Sequence, residues 1–228
     1  MSRTIELLKR KFTLISSLNT NSMELATASE ESGVDAVEVH LNLEDTASAI
    51  RFGGIDLEEA AIREVVGAVK IPVGVQIGDT PMISKEEWEK VVGIGVDYVK
   101  MMAHHMPSYV YNDDRVDKIV SVGSGYVLEQ VEILSHDGKV SAIEASIMTQ
   151  PVFRLPLTLF DITNYILIRK RSVKPVIVPT QKFIEAADLK LLNRIGCGGV
   201  VLNSIVVGTT SISYRELLPE YRRVADEL

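Results

Sequence analysis

The sequence predicts a (β/α)8 barrel, an α/β fold built as one domain over residues 1–228. Three observations predict it. Short β-rich apolar runs alternate with helical patterns along the whole chain, which implies βα units and a parallel sheet. Eight such runs can be counted, the number that closes a barrel. No Pro/Gly/Ser-rich linker and no low-complexity segment divides the chain, whose 228 residues suit one barrel. The alternative for the same alternation is an open, doubly wound sheet.

Taken in order, residues 1–11 alternate charged with apolar residues and read as a short helix, followed by strand 1 at 12–18 and a helix at 22–32. Strand 2 at 35–41, a helix at 57–69, strand 3 at 72–78, a helix at 85–94 and strand 4 at 97–103 come next. A helix is expected at 115–122 and strand 5 at 126–131, where the pattern weakens. His136-Asp137-Gly138-Lys139 reads as a hairpin turn, because Asp-Gly suits positive φ. The helix after strand 5 is therefore expected to be weak or missing. Strand 6 at 141–147, a helix at 159–171, strand 7 at 175–180, a helix at 184–195, strand 8 at 199–202 and a helix at 214–227 complete the set.

Composition narrows the class. The net charge of −7 disfavours nucleic acid and anionic membrane as partners. The single cysteine, Cys197, cannot form an intramolecular disulfide, which suits a reducing, cytoplasmic setting. No signal-peptide core is found at the N-terminus. The greasiest stretch, 157–168, is interrupted by Asp161, Thr163 and Asn164 and closed by Arg169, Lys170 and Arg171, so no membrane span is expected.

A strand-entry pattern recurs on the even strands. Gly33-Val34-Asp35-Ala36-Val37-Glu38 matches Gly95-Val96-Asp97-Tyr98-Val99-Lys100, and Val140 to Glu144 and Gly196 to Leu202 follow the same rhythm. Side chains alternate along a strand, so Glu38, Lys100 and Glu144 should share one interior layer with Val201. His40, Met102, Ser146 and Asn203 should lie nearer the C-terminal mouth, and Gln76 adds an amide from strand 3. Such layers are normally Val, Ile and Leu, and a buried ion costs several kcal/mol in effective terms. A charged layer therefore points either to chemistry or to a buried ion triad that sets barrel register. Glu38, His40, Lys100 and Glu144 are the catalytic candidates. A metal is not expected, because Lys100 would repel a cation from the same layer, and no cofactor is expected.

The last two strands read Pro175-Val176-Ile177-Val178-Pro179-Thr180-Gln181-Lys182 and Gly196-Cys197-Gly198-Gly199-Val200-Val201-Leu202-Asn203-Ser204-Ile205. Over about thirty residues this frame resembles the small phosphate-binding (β/α)8 barrels. In strand 2, Ala36-Val37-Glu38-Val39-His40-Leu41, followed by Ala49-Ile50-Arg51, is similar to the 2-keto-3-deoxy-6-phosphogluconate aldolases. Sugar-phosphate epimerase barrels share the size and general frame. The resemblance implies Glu38 as a proton-transfer carboxylate and an anion site at the mouth. The phosphate-cradling glycines are replaced here, so Thr180, Lys182, Asn203 and Ser204 would bind the anion through side chains, with Gln76 as a further substrate contact. The Schiff-base lysine of those aldolases lies on strand 6, where this chain has Glu144.

The expected function is that of a small-molecule enzyme, a carbon–carbon lyase or an isomerase acting on a small carbonyl compound, phosphorylated or not. Lys100 would be either an amine nucleophile or an ammonium stabilising an enolate, and the residues leave both open. A flavin-binding oxidoreductase barrel and a non-catalytic binding or regulatory barrel are the alternatives. The Met101, Met102 and Met106 cluster reads either as the surface of a homo-oligomer or as ordinary core.

Overall fold

Gly33, Gly95 and Gly196 all take left-handed backbone, with φ of +85°, +86° and +90°. These are the glycines of the recurring strand-entry pattern. Each follows a helix, α2 (Met23–Glu31), α4 (Lys85–Ile94) or α8 (Asp188–Arg194). A residue without Cβ turns the chain there at little steric cost. The aspartates two residues after Gly33 and Gly95 then anchor the N-terminal end of the barrel. Asp35 accepts from Leu14 N at 2.8 Å, and Asp97 accepts from Arg3 N and Thr4 N, each at 2.9 Å.

The computed structural model describes residues 2–45, 49–79 and 81–228. Its strands are β1 (Thr13–Ser17), β2 (Ala36–Leu41), β3 (Val73–Ile77), β4 (Tyr98–Met102), β5 (Asp117–Val122), β6 (Ala142–Ala145), β7 (Val176–Pro179) and β8 (Gly199–Leu202). Each pairs in parallel with its neighbour in the chain, and β8 returns to β1, so the barrel is closed. The (β/α)8 expectation holds.

Two apolar cores follow from strand alternation. The larger lies between the strands and the outer helices. The smaller fills the lower barrel and joins Ile5 and Leu8 of helix α1 (Arg3–Arg10) to Ile15, Tyr98, Ile119 and Ile177. Helix α1 thus plugs the N-terminal end, held by Ser2, whose hydroxyl accepts from Ile5 N. Met1 lies outside the described residues.

The fifth unit corrects the sequence reading. Residues 117–122, expected as the end of a helix, form strand β5, and residues 128–136 form helix α6 (Leu128–His136) where strand 5 was expected. The β-branched Ile119, Val120 and Val122 are all buried in sheet, as their shape favours. Leu128, Val131 and Leu134 or Ser135 recur at helical spacing, and Val131 and Ser135 are the buried pair. The helix after β5 is therefore present. The shortened unit comes one earlier, after β4, where a 3-10 turn at Ala103–His105 leads into the four-residue helix α5 (Ser108–Tyr111).

Helix α3 (Ile55–Ala68) follows β2 only after a long loop carrying a small antiparallel hairpin, Glu44–Asp45 with Ile50–Arg51. The loop's base is closed by Asn42 N to Gly53 O at 2.8 Å and Phe52 N to Leu43 O at 2.7 Å. Helix α7 (Leu159–Arg171) follows β6, and its N-terminus is capped by Thr158. The four-residue helix α9 (Ser204–Val207) follows β8, and helix α10 (Ser211–Ala225) ends the chain.

Candidate active site

The even-strand register builds the site from the bottom. The layer beneath the charged one contains Ala36, Tyr98 and Ala142. Small neighbours leave room for the Tyr98 ring, which also lies over Gly74: a Cβ there would sit 2.1 Å from Tyr98 Cζ. The ring extends to the next layer, where Tyr98 Oη donates to Glu38 Oε2 at 3.0 Å.

In that layer Lys100 Nζ lies 2.7 Å from Glu38 Oε1 and 2.7 Å from Glu144 Oε1. All three side chains are at most 2% exposed. The contact to Glu144 is a directed hydrogen bond, and the other oxygen of Glu144 accepts from Ser121 Oγ at 2.5 Å. The contact to Glu38 is a charge contact without a well-directed hydrogen bond. Burial acts to lower the Lys100 pKa, but Glu144 and Glu38 together outweigh it and hold the amine above its ordinary value. Burial raises the Glu38 pKa above the usual carboxylate range, against the pull of Lys100. The result is an ammonium between two carboxyl groups, with burial acting on Glu38 against its charged form.

A cavity of about 120 Å3 lies over this layer. Lys100 and Glu144 line it, with Gln76 from β3, Ser146 after β6, Gln181 after β7 and Asn203 after β8. The β2 hairpin loop (Glu44, Asp45) and Phe153 close it in. Among the described lining residues Lys100 is the one lysine or arginine, and Glu44, Asp45 and Glu144 are acidic. Glu38 lies deeper, fully buried.

The remaining candidates divide. Gln76 and Asn203 reach the cavity. His40 does not line it: its ring packs on Phe52 with centroids 4.6 Å apart, and Nε2 lies 3.1 Å from Ser17 Oγ. Burial lowers the His40 pKa to about 4, although Asp45 favours its proton, so the ring is neutral near pH 7. Thr180 is committed to the backbone, donating to Val201 O and accepting from Asn203 N, both at 3.0 Å. Asn203 Oδ1 accepts from Ile205 N at 3.0 Å, and Ser204 Oγ is buried without a hydrogen-bond partner among the described residues. Lys182 is turned away from Asn203 and pairs with Asp161 Oδ2 at 3.2 Å in a different cavity. The grouping of Thr180, Lys182, Asn203 and Ser204 around one anion is therefore not what the geometry assembles.

Sequence reasoning passed over Tyr98, Ser121, Ser17, Asp45 and Gln181 as site residues. Tyr98 sits two residues before Lys100 on the same face, a signal the alternation carried. Ser121 was hidden because its strand was read as helix.

Fold and site together define a (β/α)8 barrel with an ionised cluster under its C-terminal mouth, the end where enzymes of this fold place their active sites. No family model matches the chain, and no curated protein matches it in sequence. By structure it is similar to tryptophan synthase from M. tuberculosis, with a TM-score of 0.74, 15% identity and 98% of each chain covered. It is also similar to the tryptophan synthase alpha-subunit of Pyrococcus furiosus, with a TM-score of 0.72, 13% identity and 96% of this chain and 98% of that one covered. A structure from Aquifex aeolicus VF5 gives 0.68 at 13% identity over 99% of both chains. At such identities the likeness establishes the fold. Among the described residues no helix is long and apolar enough to cross a membrane.

Proposed function

We propose that the protein is a small-molecule lyase or isomerase that moves a proton next to a carbonyl group at the mouth of the barrel. One observation carries this reading: Lys100 and Glu144, 2.7 Å apart, both line a cavity at the strand C-termini. A carbonyl oxygen set against the Lys100 ammonium is polarised, and negative charge that develops on it is stabilised where water is scarce. Glu144 then takes the proton from the adjacent carbon. Isomerisation returns that proton to the former carbonyl carbon. In aldol-type cleavage Glu144 takes instead the proton of a hydroxyl on the second carbon from the carbonyl; that carbon becomes a new carbonyl, its bond to the carbon beside the first carbonyl breaks, and the bond's electrons form the enolate, which then takes up a proton on carbon. In both, the Lys100 ammonium stabilises an enolate.

Glu38 touches Lys100 but not the cavity, so its role is positioning: it holds the ammonium in place and keeps it charged. The same contacts oppose an amine nucleophile, which requires a neutral Lys100. His40, neutral and packed under Phe52, supports the loop over the site. The solved tryptophan synthase barrels support small-molecule enzymology on this fold by analogy alone.

The charge of the cavity also favours the substrate class. One lysine among three carboxylates suits an uncharged carbonyl compound better than the phosphorylated one that the family resemblance implies. The test is borohydride treatment in the presence of pyruvate, hydroxyacetone, dihydroxyacetone and glyceraldehyde, followed by peptide mass spectrometry. The expected result is no adduct at Lys100. An adduct there overturns the ammonium role and restores a Schiff-base mechanism.

A further inference from the structure

A second cavity, of about 750 Å3, lies between helices α6 and α7 and the loops that follow β5 and β6. It shares no lining residue with the mouth cavity. Its walls are mostly apolar: Val131 from α6, Ile147 and Val152 from the loop after β6, and Ile168 from α7 are among them. At its rim Phe160 is 73% exposed, Leu155 51% and Leu167 40%. Side chains of this kind left around a crevice of ligand size mark a binding site more often than a plain surface.

The polar group in that wall is unusual. Lys182 is only 3% exposed and, among the described residues, faces one partner, Asp161 Oδ2, at 3.2 Å. That same oxygen already accepts from Thr158 N and Thr158 Oγ1, each at 2.8 Å, in capping helix α7. The lysine makes the longest of the three contacts. An ammonium has three N–H donors, and a lysine kept only for packing would extend its charge to water. Lys182 instead stays beside an apolar crevice, and its one acceptor among the described residues is Asp161.

We propose that this crevice binds a small apolar monocarboxylate, its carboxylate on Lys182 and its hydrocarbon body against the α6 and α7 walls. The apolar walls favour the tail, and the lysine distinguishes a carboxylate from an alcohol or an amine of the same length. A single anionic head suits the site because Asp161 stands beside Lys182 and opposes a second negative charge. The crevice shares no lining residue with the mouth cavity, so occupancy does not require the proposed proton transfer.

Calorimetric titration of the full chain with octanoate, octanol and octylamine tests this, below the concentrations at which these compounds aggregate. Octanoate should bind with one-to-one stoichiometry and at least tenfold more tightly than octanol, with octylamine weakest. Lys182→Met should erase the preference for octanoate over octanol. Leu155→Glu, at the exposed rim, should weaken octanoate at least tenfold with the fold kept, and it serves if the buried substitution fails to fold. Equal binding of octanoate and octanol overturns the proposal. So does no binding of octanoate, or unchanged octanoate binding in Leu155→Glu.

Discussion

Lys100 Nζ and Glu144 Oε1 lie 2.7 Å apart in the wall of the mouth cavity, where neither side chain is more than 2% exposed. Removing the cation leaves two buried carboxylates without compensation, which typically costs about 3–5 kcal/mol. Lys100→Met should therefore lose stability of that order at neutral pH. One carboxylate then titrates in the fold above its unfolded value. Its contribution is present at acid pH and lost as pH rises through the raised value. The gap to wild type should narrow toward pH 4 and widen toward pH 8, as read by urea denaturation at both ends.

Tyr98 sets the deeper carboxylate. Tyr98→Phe removes the donor to Glu38 Oε2 and leaves that oxygen buried and unpaired. The loss should be about 1–3 kcal/mol at neutral pH, and the Glu38 pKa should rise further, because the Tyr98 hydrogen bond acts to lower it. Gly74→Ala should be more damaging, since its Cβ would fall inside the Tyr98 ring. Thermal denaturation of the two variants gives the order.

His40 should titrate far below an ordinary histidine. Its folded pKa of about 4, against 6.5, reflects burial. The unfolded chain takes up the proton first, so this contribution is present above about 6.5 and is lost as pH falls toward 4. At about 1.4 kcal/mol per pKa unit, the whole effect is roughly 3 kcal/mol. Proton NMR of the His40 ring should show no protonation between pH 8 and 5.5.

Charge at the mouth should rank ligands. Dihydroxyacetone should bind more tightly than dihydroxyacetone phosphate, measured by competition in one buffer. The reverse order would mean that groups outside the described cavity wall supply an anion site.

Much of this was legible in the sequence. The Gly33 and Gly95 repeats fixed the register of the even strands, and alternation alone placed Glu38, Lys100 and Glu144 on the inside. What alternation cannot report is where a long side chain ends. Lys182 follows β7, as an anion ligand would, yet its ammonium turns to Asp161 on α7. Nor does inward placement guarantee access: His40 is inward on β2, and the loop bearing Phe52 covers it. The fifth unit was misread because Asp117-Lys118 and Ser121 break the apolar run of β5. Leu128-Glu129-Gln130-Val131, a helix start, carries enough apolar residues to pass for a strand.

The central claim is that Glu144 moves a proton beside a carbonyl polarised by Lys100. Its most direct test is solvent exchange in D2O, following by proton NMR the loss of the C–H signals next to the carbonyl in hydroxyacetone, dihydroxyacetone and glyceraldehyde. Wild-type protein should accelerate exchange in at least one of them. Glu144→Gln, which keeps the shape and removes the base, should slow it by about 100-fold or more, within the range general-base catalysis supplies. Exchange that proceeds equally fast in Glu144→Gln, or no exchange by wild type in any of the three, would contradict the account.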